Sequence, residues 1–75
     1  MEVPLSSLRA GQSGVVKHIH GGFGICRRMS CMGIIAGKRV KVLATHLFMG
    51  PVVVKIGSTQ IAIGRGMARK IIVEK

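Results

Sequence analysis

The sequence is nearly without acidic side chains. Glu2 and Glu74 are its only carboxylate residues and Asp is absent, against 12 Lys and Arg, for a formal net charge of +10. This shortage removes most hydrolytic chemistry. Glycosidases need a pair of carboxylates flanking the scissile bond. Serine and cysteine triads need a base held by a third group, often a carboxylate. Mg²⁺ and Ca²⁺ sites are built from side-chain carboxylates. Trp and Tyr are also absent, and Phe23 and Phe48 are the only aromatics, so a stacking platform for single-stranded nucleic acid is poorly supplied. No Gly-x-x-x-x-Gly-Lys-Ser/Thr loop occurs, and Gly64-Arg65-Gly66 is too short to replace one. The two cysteines, Cys26 and Cys31, are fewer than the disulfide frameworks of small secreted domains use. Met1 to Pro4 lacks the basic-then-apolar order of a signal peptide. The longest stretch free of Lys, Arg and Glu, Val42 to Val54, is too short for a bilayer span and contains His46 and Pro51. These absences predict a non-enzymatic binding protein of the cytoplasm with free thiols.

What is present reads as one small domain over residues 1–75. Apolar residues make up 48% of the chain, and many are Val and Ile, whose branched side chains suit a pleated surface. Pro4 to Gly11 reads as a lead-in with a turn. A first strand follows over Gly14 to His20, with Val15, Lys17 and Ile19 on one face and Val16, His18 and His20 on the other. Phe23 to Met32 is the helix, with Ile25, Met29 and Met32 at i, i+4 and i+7 facing the core and Arg27 and Arg28 off that stripe. Gly33 and Ile34 supply the left-handed residue and the apolar contact that close a helix end. The remaining strands are Lys38 to Ala44, Val52 to Ile56, Thr59 to Ile63 and Lys70 to Glu74. Gly57-Ser58 makes a hairpin turn, and Gly64 to Arg69 is a tight turn or a single 3₁₀ turn. The fold class is mainly β: a small, strongly bent five-stranded barrel with one short α-helix between its first and second strands.

Three constellations carry candidate chemistry. Leu47, Phe48 and Met49 are three large apolar residues in a predicted loop, where an exposed cluster marks a contact surface. Arg27 and Arg28, followed by Lys38, Arg39 and Lys41, give a basic face that steers toward an acidic partner. Against both stand plainer readings, a loop folded back as a lid on the core and a solvated charged surface. The candidates for a soft-metal site are His18, His20, Cys26, Cys31 and His46, which Fe²⁺ or Zn²⁺ would engage. Here too a plain reading competes: half-exposed strand histidines and cysteines packed as small hydrophobes. No cofactor is required by any of these residues. Nucleic-acid binding through phosphate contacts is the rival use of the positive charge, and open strand edges permit self-association.

The order of these residues resembles the ferrous iron transport protein A family. Leu5, Leu8, Gly11, Gly14, Val16 and Ile19 look like its opening. Arg28-Met29, Met32-Gly33-Ile34 and Gly37 resemble its helix and the turn after it. Val40, Val42, Gly50-Pro51, Val54 and Ile56-Gly57 are similar to its middle hairpin, and Ile61-Ala62-Ile63, Ala68, Ile71 and Val73 to its closing segment. The chain departs from that pattern at Cys26, often Arg in the family, and at Cys31, often an acid. It departs again at Gly64, Gly66 and Met67, where charged residues are usual. The resemblance implies an SH3-like barrel of the free-standing form. The same domain type occurs at the C-terminus of metal-dependent repressors. It implies a cytoplasmic accessory protein of ferrous iron uptake, held at the inner face of the membrane by its partner, a large membrane transporter with a GTP-binding domain. Nucleic acid is then not an expected partner. A folded Phe48→Ala, Met49→Ala variant is expected to bind that transporter about tenfold or more weakly, the scale of apolar anchors at interfaces. Unchanged affinity in a pull-down or titration removes Phe48 and Met49 from the interface.

Overall fold

Branched apolar residues placed two apart turn most of this chain into strands, and in the computed structural model they converge on one core. The structure describes residues 1–45 and 50–75. In chain order the elements are β1 (Glu2–Pro4), a 3₁₀ turn (Leu5–Ser7), β2 (Ser13–Ile19), α1 (Phe23–Cys31), β3 (Arg39–Ala44), β4 (Val52–Ile56), β5 (Thr59–Ile63), α2 (Arg65–Ala68) and β6 (Ile71–Glu74). All strand pairs are antiparallel, in the order β1-β6-β2-β3-β4-β5.

The alternation works as expected in the middle of the chain. Val40 and Val42 are buried while Arg39 and Lys41 are exposed, and Val52, Val54 and Ile56 alternate inward along β4. Every strand contributes to one apolar cluster, from Val3 and Val16 through Val54 and Ile63 to Ile71 and Val73. A sheet whose six strands all face one core has to curl, which is the bent barrel that the composition implied. Each fully buried Val, Ile or Leu contributes about 1.5–3 kcal/mol relative to exposure.

Three expectations are corrected. The sheet has six strands rather than five, because Glu2–Pro4 pairs with β6 at Val3↔Val73. The segment has a single inward residue and a proline, too short a pattern to show a period. Proline is tolerated there because β1 is a sheet edge. Residues 65–68 form a single α-helical turn, with Ala68 buried and its N–H bonded to the Gly64 carbonyl at 2.9 Å. The strict alternation read along β2 also fails. The register against β6 shifts between Val16 and His18, so Val16 pairs Val73 and Ile19 pairs Ile71. That bulge absorbs Lys17 and turns Ile19 inward, to pack on the core with Val16. Strands and helix otherwise lie within a residue or so of their expected ends.

Helix α1 stops as its sequence indicates. Gly33 takes φ +86°, Gly33 N–H donates to the Ser30 carbonyl at 3.0 Å, and Ile34 N–H donates to the Met29 carbonyl at 2.9 Å. This pair of bonds is the Schellman closure, and the two residues it links, Met29 and Ile34, are 2% and 1% exposed. Of the expected stripe, Met29 is core and Met32 packs against it, while Ile25 is half-buried over Gly21.

Gly14 marks the tightest approach. A Cβ there would stand 2.9 Å from the Glu74 carbonyl oxygen and 3.2 Å from Val73 Cβ. Gly14→Ala is therefore expected to destabilise by about 1–3 kcal/mol, as overpacking does. Gly24, inside α1 with open space where a Cβ would stand, behaves oppositely. Gly24→Ala is expected to stabilise by roughly 0.4–1 kcal/mol. Urea unfolding of the two variants checks both signs.

Candidate docking surface

Helix α1 is anchored mainly by Met29 and Met32 and leaves a gap beside the end of the sheet. Arg28, Met29 and Met32 form one wall. Ala62, Ile63 and Gly64, from the end of β5, form the other, and Met67 of α2 joins them. The cavity volume is ≈ 170 Å³, room for one or two apolar side chains. The β5 wall alternates. Ile61 and Ile63 turn inward and Ala62 turns out, and neither Ala62 nor Gly64 has a side chain long enough to fill the space. Three unbranched thioether side chains line it, and methionine adapts its shape to what it meets.

One of the cationic residues borders this apolar groove. Arg28 is exposed and lines it, while Arg27 is exposed on α1 without lining it. Lys38, Arg39 and Lys41 are also exposed. Lys41 stands opposite Lys55 in the β3–β4 register, and Lys55 opposite Gln60 in the β4–β5 register. The three side chains therefore form a row across the outer face, ending at β5.

The other expected site residues are dispersed. Leu47, Phe48, Met49 and His46 lie outside the described residues. His18 and His20 do meet, their rings edge to face with centroids 4.8 Å apart. Cys26 is half-buried and its thiol donates to the Ile19 carbonyl at 3.6 Å, while Cys31 is exposed. Both cysteines are free. Among the described residues no three His, Cys, Asp or Glu side chains stand close enough to hold a metal ion.

Two features escaped the sequence. The groove joins residues read as core, Met29 and Met32, to residues read as a turn, Gly64 and Met67. The signal available was the loss of side-chain bulk and charge at positions 64 to 67. The second is the pairing of Glu2 with Glu74, the chain's two acids, directly opposite on β1 and β6. Like charges so placed repel. The Met1 ammonium, 3.2 Å from Glu74 Oε1, offsets part of this.

Among the described residues no helix is long and apolar enough to cross a membrane. The FeoA domain model matches residues 3–75. A protein of Methanocaldococcus jannaschii, provisionally named an Fe(2+) transport protein A, is 41% identical over 71 residues, covering 95% of this chain and 84% of that protein. The crystal structure of an iron uptake regulatory protein, FeoA, superposes with a TM-score of 0.93 at 36% identity, over 99% of this chain and 97% of that one. Stenotrophomonas maltophilia FeoA, an SH3 domain protein crystallised with zinc, gives 0.80 at 28% identity over 99% and 89%. By sequence along nearly its whole length and by an SH3-like β architecture, the chain belongs to the FeoA family.

Proposed function

We propose that this protein is a non-catalytic accessory module of ferrous iron uptake. It docks at the cytoplasmic face onto the large membrane iron transporter that carries a GTP-binding domain. The observation that carries this reading is the methionine-lined groove with Arg28 on its rim, on a molecule of net charge +10. Such a surface receives apolar side chains while its field draws in an acidic partner. Membership of the FeoA family, and a 41% identical relative named for Fe(2+) transport, supply the system. No reaction is assigned. The chain's two carboxylates face each other at the β1–β6 pairing, away from the groove lining, and one of them is engaged by the Met1 ammonium.

Binding of the purified protein to the detergent-solubilised transporter tests the reading. Affinity is expected to fall as salt rises, because exposed charges are screened within about 10 Å at 0.1 M. An Arg27→Glu, Arg28→Glu variant is expected to associate about tenfold more slowly at low salt, with a smaller change in dissociation. Binding no tighter than that of an unrelated protein of equal charge contradicts the proposal.

A further inference from the structure

The two ends of the sheet are built differently. At one end, β1 is three residues long and carries Glu2 and Pro4, a charge and a proline that discourage further pairing. At the other end, β5 reads Thr-Gln-Ile-Ala-Ile, with no charge and no proline. It pairs with β4 on one side, and among the described residues its second side has no strand neighbour. An edge left this open is a template for another strand.

The register says which groups it offers. Ile56 and Thr59 flank the Gly57-Ser58 turn and face each other. In a two-residue hairpin the flanking pair exchanges both hydrogen bonds, and bonded pairs then alternate along the ladder. The bonded pairs are therefore Ile56↔Thr59, Val54↔Ile61 and Val52↔Ile63. Gln60 and Ala62 belong to the intervening pairs, so their N–H and C=O groups point away from β4. Among the described residues no other backbone group bonds to them, and both residues are exposed. Ala62 also lines the groove.

We infer that β5 takes up an extended segment of the partner as a seventh strand, bonded to the backbone of Gln60 and Ala62. This rests on the docking reading above and specifies its geometry. The chemistry of the segment follows from the rows it would extend. Lys41, Lys55 and Gln60 form one row, where the next residue out relieves like-charge repulsion if it is acidic. Alternate residues lie on the face of Ile61 and Ile63, where Met32 and Met67 pack against the core, and are apolar. The occupant is a segment of the transporter's cytoplasmic part that alternates acidic and apolar residues. A second copy of this chain is disfavoured by +10 of charge on each molecule.

Ala62→Pro tests this directly. The Ala62 N–H points outward, so proline removes no bond within the sheet, and edge strands tolerate proline. Detergent-solubilised transporter is expected to bind the folded variant about tenfold or more weakly, and in the wild-type complex the Gln60 and Ala62 amides are expected to exchange at least about tenfold more slowly with deuterium. If wild type binds but these amides exchange at unchanged rates, or folded Ala62→Pro binds equally well, edge pairing is wrong and docking stands. If wild type does not bind, the docking reading falls and this inference with it. Should Ala62→Pro not fold, the wild-type exchange measurement decides alone.

Discussion

The pairing of β2 with β6 is the constraint on which the rest of the molecule depends. β2 is hydrogen-bonded on both sides, to β6 and to β3, and it bends at the bulge between Val16 and His18. Gly14 lies on this seam, where an added Cβ would meet the Glu74 carbonyl oxygen. Because β6 is taken by β2 on one side and by β1 on the other, it cannot pair with its chain neighbour β5. The chain must cross over from β5, and α2 makes that crossing, with Ala68 buried and the turn packed against the 3₁₀ turn Leu5–Ser7. Among the described residues β5 is left at the end of the sheet with one side open, and its last residues form one wall of the groove beside α1.

Charge gives this geometry a direction. With two acids in the chain and both placed together on β1 and β6, the groove and the face formed by β3 to β5 carry no carboxylate. The potential around that face is positive without local compensation. An acidic partner is drawn toward it, and affinity then comes from apolar side chains meeting methionines and from main-chain bonds along β5. The same scarcity of carboxylates that disfavours catalysis therefore favours recognition, within a fold whose β5 edge carries neither charge nor proline.

Much of this was legible in the residues alone, and the limits have physical causes. The Val40/Val42 and Val52/Val54 alternations place β3 and β4 because one face of each is buried. The end of α1 was readable because Gly33 and Ile34 close it through local bonds. β1 was not readable, since its pairing depends on a strand 70 residues away in sequence, and three residues carry no period. The parity of β2 failed because a bulge is set by the partner strand's register. The groove was invisible for a related reason: Met29 and Met67 are brought together by the β5–α2–β6 crossover. Leu47, Phe48 and Met49 remain the sequence's own nomination, while the described residues add Arg28 and the methionine walls.

The methionines themselves give the most direct test. Methyl NMR of the protein, with methionine methyls labelled, reports each side chain separately when the solubilised transporter is added. The account predicts that the Met32 and Met67 methyl signals shift or broaden together while that of Met1, on the opposite sheet edge, stays in place. Binding that leaves Met32 and Met67 unmoved, or that moves Met1 alone, would contradict it.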